Sequence, residues 1–284
     1  MFEVVLKSWY SVLLSFISPL CCCSCGEHIE NDEKNSNLSR FLCQNCFDNT
    51  KQIQKCCKKC GYPVLEEYSD VFGNKIVNKD MDNITIIKKS DYNYCPSCEN
   101  KKRYFDIARS CYEYKGCIRH IILMLKYYHK TDCFDFIAEK MYQKYTDMLL
   151  ADYICFVPIT RKKLFIKGFN HAGIIANALY KQLKTKSIKK PEIIYDLFIK
   201  QTKTKQAKEL SRSQRITTKH SFMINKKYLQ GNINFNGKFN GKTFLIIDDI
   251  MTTGGTLNEL SKLLKCEFKN CKVECLTFAR TMLY

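Results

Sequence analysis

The chain has 284 residues, a hydrophobic content of 45% and a formal net charge of +18. This length allows one large or two modest domains with a buried core. The excess of positive charge comes from residues 101–284, which carry a net +20, whereas residues 1–100 carry a net −2. Such a basic field suits a polyanion, either a pyrophosphorylated sugar or nucleic acid; a solvated lysine-rich surface is the alternative. We expect no transmembrane segment, because the apolar stretch Trp9–Leu20 is too short to cross a bilayer.

The first 102 residues predict a short helix followed by a cysteine-rich, zinc-binding module. Residues 1–20 contain the amphipathic segment Trp9–Ile17, which Pro19 ends. Residues 21–102 hold 11 of the 18 cysteines. Eight of these form Cys-x-x-Cys pairs, at Cys22/Cys25, Cys43/Cys46, Cys57/Cys60 and Cys95/Cys98. Because two such pairs complete a tetrahedral Cys₄ site, we expect one or two structural zinc ions.

The cysteine pattern leaves the pairing open. Four pairs combine in more than one way, and Cys21, Cys23 and Cys56 make the ligand register ambiguous by one residue. Nothing resembles a secretory signal, so we expect a cytoplasmic, reducing setting, where such pairs bind metal more often than they form disulfides. The polar insertion Glu66–Tyr94 predicts a hairpin or a loose loop within the module.

Residues 103–284 alternate predicted strands and helices, which favours a parallel sheet with right-handed crossovers. Asn170 is the predicted N-cap of one helix, and residues 200–221 predict a mobile loop because they lack apolar periodicity. The predicted elements are strand Ile107–Tyr114, helices Ile118–Tyr127 and Phe134–Leu150, strand Tyr153–Val157, helix His171–Leu183, the strand that begins at Phe244, helix Leu257–Phe268 and strand Val273–Ala279.

The segment 244–256 carries the strongest functional signal. Four apolar residues predict a strand buried on both faces, which ends at Asp248 and Asp249 and leads through a Thr-Thr-Gly-Gly-Thr turn into a helix. Ligands bind at the carboxyl ends of such strands, and a helix N-terminus favours phosphate. The alternative is a strand, a turn and a capped helix without a ligand. The predicted ribose-phosphate site comprises Asp248, Asp249, Met251, Thr252, Thr253, Gly254, Gly255 and Thr256.

Two basic segments predict interactions with a pyrophosphate group. Val157–Asn170 follows a strand and holds four cations within seven residues, among which the planar guanidinium of Arg161 suits phosphate oxygens. Residues 200–215 are polar and basic, which suits either closure over a bound diphosphate or contact with a nucleic-acid backbone. The candidate pyrophosphate-binding residues are Ile159, Thr160, Arg161, Lys167 and Arg212.

Segment 244–256 resembles the phosphoribosyl-pyrophosphate signature of the type I phosphoribosyltransferases at all 13 positions. Nearly the whole chain resembles the ComF family of competence proteins. That resemblance rests on the cysteine pairs and on Tyr114–Tyr127, Val157-Pro158, Lys167–Asn170, Gln201-Thr202, Ser211–Arg215, Ser221-Phe222 and Arg280-Thr281. Lys167 and His171 stand where the family has Arg and Gln, so we expect a weakened but retained interaction with pyrophosphate.

The ComF resemblance implies a type I phosphoribosyltransferase-like parallel sheet flanked by helices over residues 103–284, with a zinc-ribbon-like module before it, in a bacterial cytoplasm. From segment 244–256 itself we expect binding of 5-phosphoribosyl 1-diphosphate with Mg²⁺, with Asp248, Asp249 and the basic Arg161 as catalytic residues. The ComF resemblance also implies a role in DNA uptake during natural transformation, with single-stranded DNA and a helicase-like competence ATPase as partners. The alternative is a phosphoribosyltransferase that acts on a small nucleobase-like acceptor and has no direct DNA role.

Overall fold

A computed structural model describes residues 21–29, 41–63, 68–69, 75–76, 94–127, 132–186, 190–201, 221–229 and 237–282. The predicted helix Trp9–Ile17 and most of the predicted loop 200–221, with Arg212, lie outside the described residues. Within the ranges given, no helix is long and apolar enough to cross a bilayer.

The cysteine-rich part contains two short helices and a small hairpin. Helix α1 spans Gln44–Asp48 and helix α2 spans Pro96–Asn100. Strands β1 (Tyr68–Ser69) and β2 (Lys75–Ile76) pair antiparallel. The described part of the insertion therefore agrees with the hairpin alternative.

The remaining elements follow in chain order as strands and helices of an α/β domain. They are β3 (Ile107–Glu113), α3 (Gly116–Tyr127), α4 (Asp132–Lys144), a 3₁₀ turn (Thr146–Leu150), β4 (Tyr153–Phe156), α5 (Arg161–Lys167), α6 (His171–Lys186), β5 (Glu192–Ile193), β6 (Phe198–Lys200), β7 (Phe222–Ile224), a 3₁₀ turn (Lys226–Tyr228), β8 (Thr243–Met251), α7 (Gly255–Glu267) and β9 (Lys272–Arg280).

Five strands form the main sheet in the order β3-β9-β8-β4-β5, and every neighbouring pair is parallel. This confirms the predicted parallel α/β sheet. The chain leaves β4 toward β5 on one side and leaves β8 toward β9 on the other. The two connections diverge between β4 and β8, which creates a crevice at their carboxyl ends, the usual ligand position in an open α/β sheet.

The sheet separates two hydrophobic cores, and β8 contributes to both. Leu245 and Ile247 pack with helices α3, α4 and α6 on one face. Phe244 and Ile246 pack with α7 and the β6–β7 hairpin on the other face. Buried cysteines of the Cys-x-x-Cys pairs belong to both cores, with Cys22 in the first and Cys57 in the second. Because successive side chains of β8 enter different cores, the apolar run of this strand is continuous.

Three details differ from the sequence-based expectations. Asp248 and Asp249 lie within β8 rather than at its end, because β9 continues to pair as far as Met251. The predicted helix Phe134–Leu150 breaks at Tyr145, whose φ of −133° is not helical and whose hydroxyl donates to the Ser110 carbonyl at 2.9 Å.

The third difference is helix α5, which lies inside segment 157–170, where no helix was expected from the sequence. The Thr160 hydroxyl caps its first turn by accepting from the Lys163 amide at 3.3 Å. The Gly168 amide donates to the Leu164 carbonyl at 2.8 Å and ends the helix. Capping residues at both ends were therefore present in the sequence.

The segment between the second and third cysteine pairs runs along the edge strand β3. The Ile53 amide donates to the Cys111 carbonyl at 3.1 Å, and the Ala108 amide donates to the Lys59 carbonyl at 2.8 Å. These bonds cover an edge that would otherwise expose unpaired backbone groups. They also attach the cysteine-rich part directly to the sheet.

Gly61→Ala should destabilise the protein more than Gly26→Ala. Both glycines follow a Cys-x-x-Cys pair with positive φ, which costs about 1–2 kcal/mol for an alanine. A Cβ on Gly61 would also lie 2.6 Å from the Ala108 carbonyl oxygen, whereas a Cβ on Gly26 meets nothing within 4 Å. Such overpacking adds about 1–3 kcal/mol.

The measurement is urea unfolding of both variants, with zinc content checked by elemental analysis. Equal loss of stability in the two variants would contradict the close packing of Gly61 against β3.

Candidate functional site

The predicted site residues converge on the crevice between β4 and β8. Asp248 and Asp249 lie near the carboxyl end of β8, and residues 252–256 follow it into α7. Segment 157–167, which carries Ile159, Thr160, Arg161 and Lys167, leaves the carboxyl end of the neighbouring β4. Of the predicted site residues, Arg212 alone falls outside the described part of the chain.

The two acids occupy different electrostatic environments. The Asp249 carboxylate lies 2.9 Å from the Lys126 ammonium, and the side chains are 14% and 30% exposed. Asp248 accepts from the Asp249 amide at 2.9 Å. Burial and the neighbouring Asp249 charge raise the pKa of Asp248 well above its usual range. The pair thus combines one carboxylate held by a cation with one whose ionisation is disfavoured.

Lys126 and His171 are site residues that the motif analysis did not single out for this role. Lys126 lies in the last turn of α3, and only its presence in the segment Tyr114–Tyr127 pointed to it. The buried His171 ring bonds through Nε2 to the Leu125 carbonyl at 3.0 Å. Burial lowers the pKa of His171, so the neutral ring donates this bond and fixes the end of α3 beside Asp249.

The loop after β8 is compact and leaves its hydroxyls accessible. Thr252, Thr253 and Thr256 are exposed, while Gly254 is buried with a φ of 76°. Helix α7 begins at Gly255, so its free amides face the loop. Met251 is buried and its carbonyl accepts from the Thr281 amide at 3.0 Å, so neither its side chain nor its carbonyl is available to a ligand. The loop has the shape and polarity that a phosphate group requires.

Side chains from the cysteine-rich part and its junction with the sheet hold this loop from behind. Arg103 donates to the Thr253 carbonyl at 3.2 Å and to the Ser97 hydroxyl at 2.9 Å. The Asn258 side chain, in the first turns of α7, accepts from the Tyr104 amide at 2.6 Å. The backbone of the loop is therefore held by side chains from outside it, and within it the Thr253 hydroxyl accepts from the Gly255 amide at 3.4 Å.

Helix α5 presents an exposed basic and apolar surface beside the crevice. Its four cations, Arg161, Lys162, Lys163 and Lys167, are all exposed. Phe165 is 91% exposed and Ile166 is 70% exposed, although no sequence pattern singled out either residue. Ile159 and Thr160 are partly buried, and the Thr160 hydroxyl is already used as the helix cap.

Asn170 connects α5 to the next helix, as predicted. Its Oδ1 accepts from the Ala172 amide at 3.2 Å, which caps the N-terminus of α6. Its Nδ2 donates to the Val157 carbonyl at 2.9 Å. This one side chain therefore ties both ends of segment 157–170 together beside the crevice.

The eight cysteines of the four pairs gather into two clusters. The first contains Cys22, Cys25, Cys43 and Cys46; the second contains Cys57, Cys60, Cys95 and Cys98. The sulfur atoms within each cluster all lie within 4.8 Å of one another. Cys21, Cys23 and Cys56 belong to neither cluster, which resolves the register that the sequence left open.

Both clusters fit a tetrahedral zinc ion. The Cys25 and Cys43 sulfurs lie 3.8 Å apart, and the Cys60 and Cys95 sulfurs lie 3.5 Å apart. Zn–S bonds of about 2.3 Å separate the sulfurs of a tetrahedron by about 3.8 Å. The Cys60 and Cys95 amides donate to the Cys57 sulfur at 3.5 and 3.3 Å, which stabilises a metal-binding thiolate there.

The sequence matches the family described as "Phosphoribosyl transferase domain" over residues 132–282. A search of curated proteins returns no match. Strand β3 and helix α3 precede the matched range but belong to the same sheet and core. The match contains β4, β8 and the loop that follows β8, so it covers both sides of the crevice.

Asp248→Asn should stabilise the ligand-free protein increasingly as pH rises. The folded pKa of Asp248 lies above its unfolded value, so the stability linked to this group is intact at low pH and is lost as pH rises through the folded pKa. The asparagine side chain of the variant does not ionise, so the variant does not lose this stability as pH rises. The measurement is the free energy of unfolding in urea at pH values of about 4.5 and about 7.5, without Mg²⁺ or phosphate.

Asp196→Asn is the control with the opposite sign. Although burial works against ionisation, hydrogen bonds from Lys227 and Tyr228 lower the pKa of Asp196, so its stabilising effect is present at neutral pH and lost in acid. The variant should therefore be less stable than wild type at the higher pH. Destabilisation of Asp248→Asn at that pH would contradict the environment described for Asp248.

Proposed function

Because the chain belongs to the phosphoribosyl transferase domain family, we propose that it binds 5-phosphoribosyl 1-diphosphate in the crevice between β4 and β8 and transfers its ribosyl 5-phosphate group. The observation that carries this proposal is the convergence of two acids, a phosphate-sized loop and a basic helix on one crevice. Each of the three suits a different part of the sugar diphosphate.

Asp248 and Asp249 accept hydrogen bonds from the ribose 2′- and 3′-hydroxyls. Lys126 lies 2.9 Å from the Asp249 carboxylate, so a cation faces one of the two acceptors. The amides and hydroxyls of residues 252–256 bind the 5′-phosphate, with the N-terminus of α7 adding a favourable dipole.

The two carboxylates also fit a magnesium ion, which prefers oxygen ligands and commonly combines one or two carboxylates with substrate phosphates. Bound Mg²⁺ would neutralise charge on the diphosphate. Transfer breaks the bond between C1 and the pyrophosphate oxygen, the electron pair leaves with pyrophosphate, and the acceptor supplies the pair for the new bond. Arg161 stabilises the departing charge, and the crevice positions the reacting atoms.

A small nucleobase-like molecule is one acceptor that we propose for this reaction. Segment 157–167 and the β8 loop flank the crevice from two neighbouring strands, so an acceptor can approach C1 between them. No DNA contact is needed for this version of the function.

Asp248→Asn and Asp249→Asn should each weaken binding of 5-phosphoribosyl 1-diphosphate about 10- to 150-fold. A hydrogen bond to a charged group contributes about 1.5–3 kcal/mol, and the amide loses most of that. The measurement is isothermal titration calorimetry with Mg²⁺ present. Asp106→Asn is the matched control. Asp106 directly precedes β3, so it lies at the amino-terminal ends of the strands rather than at the crevice, and it pairs with Lys265.

Unchanged affinity in both crevice variants would contradict the proposal, as would failure of the wild-type protein to bind the sugar diphosphate. An equal loss of affinity in Asp106→Asn would show that general destabilisation, rather than ligand contact, is being measured.

A second candidate function, handling of single-stranded DNA during natural transformation, is favoured by helix α5. Phe165 is 91% exposed and is surrounded on its own helix by Arg161, Lys162, Lys163 and Lys167. An aromatic ring among cations is the arrangement that single-strand binders use to stack bases and hold phosphates. The nearby Phe169 instead packs against Phe134 and His171.

In this second function the sugar diphosphate site acts beside the DNA-binding surface, in the manner of a ComF protein. The cysteine-rich module, residues 21–102, docks a helicase-like competence ATPase, while residues 103–284 form the transferase domain. A reducing cytoplasm suits the protein, since none of the 18 cysteines, all of which lie in the described residues, forms a disulfide.

Phe165→Ala should weaken binding of a single-stranded oligonucleotide about 5- to 150-fold, because stacking contributes about 1–3 kcal/mol per base. Lys162→Gln with Lys163→Gln should make binding less sensitive to salt, because the logarithmic slope falls by about 0.7 for each phosphate that the protein no longer neutralises. Fluorescence anisotropy at two salt concentrations measures both effects. Leu150→Ala is the control, since Leu150 is 51% exposed but precedes β4, at the amino-terminal ends of the strands and away from α5.

Wild-type affinity in Phe165→Ala, or no binding even at about 50 mM salt, would contradict a role of α5 in DNA binding.

A further inference from the structure

Arg280 is a buried cation that the proposed function does not use. It is the last residue of β9 and is 2% exposed. Among the described residues, no salt bridge joins it to a carboxylate, and its Nε has no hydrogen-bond partner. A buried charge is normally compensated by an opposite charge, so the surroundings of Arg280 require explanation.

The groups around Arg280 belong to the second cysteine cluster and to the end of β8. One guanidinium nitrogen, Nη1, donates to the Cys60 carbonyl and lies 3.0 Å from the Met251 sulfur. The other, Nη2, lies 3.8 Å from the Cys60 sulfur. The guanidinium also lies over the Tyr62 ring, 5.2 Å from its centre. Arg280 therefore joins a cluster cysteine to the residue from which the phosphate loop starts.

Charge explains why an arginine is tolerated at this position. A zinc ion with four thiolates would carry a net charge of −2. Arg280 contacts this cluster through the Cys60 carbonyl and the Cys60 sulfur, so the filled cluster would supply the opposite charge that the buried guanidinium otherwise lacks.

A second connection runs from the same cluster to the other side of the loop. Ser97 lies between Cys95 and Cys98, and its hydroxyl accepts from Arg103, which also donates to the Thr253 carbonyl. Thus Met251 and Thr253 are both held through residues attached to the second cluster.

The first cluster has no such connection within the described residues. Its contacts lead to the opposite core, where the Cys117 thiol donates to the Cys46 carbonyl and Phe47 packs on Phe136. The chain therefore contains its own control, a second Cys₄ site on the other face of the sheet.

We propose that Arg280 is a positioning residue, which uses the metal-filled second cluster as its counter-ion and preorganises loop 251–256 for the sugar phosphate. This inference rests on the proposed sugar-diphosphate site. In this proposal the second cluster supports ligand binding, whereas the first cluster contributes only to the stability of the fold.

Hydrogen exchange, read by mass spectrometry on ligand-free full-length protein, tests the coupling. Arg280→Met should speed exchange of the amides in residues 251–258 at least tenfold, while exchange in α4 stays unchanged. Arg280→Lys keeps the positive charge but lacks the planar guanidinium with its several N–H donors. This variant should therefore retain part of the protection that Arg280→Met loses. Cys98→Ser should reproduce the effect together with loss of one zinc per chain, and Cys46→Ser should lose one zinc without the effect.

Calorimetry with 5-phosphoribosyl 1-diphosphate and Mg²⁺ should show at least tenfold weaker binding for Arg280→Met and Cys98→Ser than for Cys46→Ser. Unchanged exchange in residues 251–258 of Arg280→Met would overturn the inference, and so would equal effects of the two cysteine variants. If Cys98→Ser does not fold, the Arg280 variants still decide. Absence of binding by wild-type protein would remove the proposed function, whereas the exchange experiment reports on the coupling independently.

Discussion

The central position of β8 is the constraint on which the site depends. This strand has parallel neighbours on both sides and a hydrophobic core on each face, so its apolar side chains before Asp248 are all committed to packing. Only its carboxyl end offers acidic groups, and that end opens beside β4, where the chain connections diverge. The topology thus places two acids, a tight turn and a helix N-terminus at one crevice.

The same arrangement makes the site electrostatically costly without a ligand. Two adjacent carboxylates lie partly buried, and a single ammonium, from Lys126, is bonded to one of them within the described residues. Burial and repulsion raise the pKa of Asp248, which is the expected condition of a site that binds hydroxyl donors or a cation. The ligand-free site therefore lowers the stability of the fold, and ligand binding at the same residues compensates for that loss.

The two cysteine clusters support opposite faces of this sheet. The first packs with α3 and α4, whereas the second contacts β9 and the loop after β8 through Arg280 and Arg103. Glycine at position 61 allows the second cluster to approach β3 closely. The cysteine-rich part is consequently in contact with the structure that forms the crevice.

The sequence alone predicted those features that depend on residues close together in the chain. The apolar run of β8, the turn after Asp249, the capping side chain of Asn170 and the spacing of the cysteine pairs each express a short-range rule, and each was predicted. Interactions that depend on the placement of distant elements were not. Lys126 reaches Asp249 only because α3 packs across the sheet, and the pairing of cysteines is determined by how their segments cover β3.

Other errors have equally specific causes. The pairing of β9 extends β8 beyond its apolar run, and the bond from Tyr145 to Ser110 interrupts a segment with helical periodicity. Helix α5 was missed because its apolar residues are exposed rather than placed on a buried face, so no amphipathic pattern indicates it.

The most direct measurement is a crystal structure with Mg²⁺ and 5-phosphoribosyl 1-diphosphate, with anomalous data collected at the zinc edge. We expect the 5′-phosphate on residues 252–256, the ribose hydroxyls at Asp248 and Asp249, and one anomalous peak in each cysteine cluster. A sugar phosphate bound away from the β4–β8 crevice, with these acids left untouched, would contradict it.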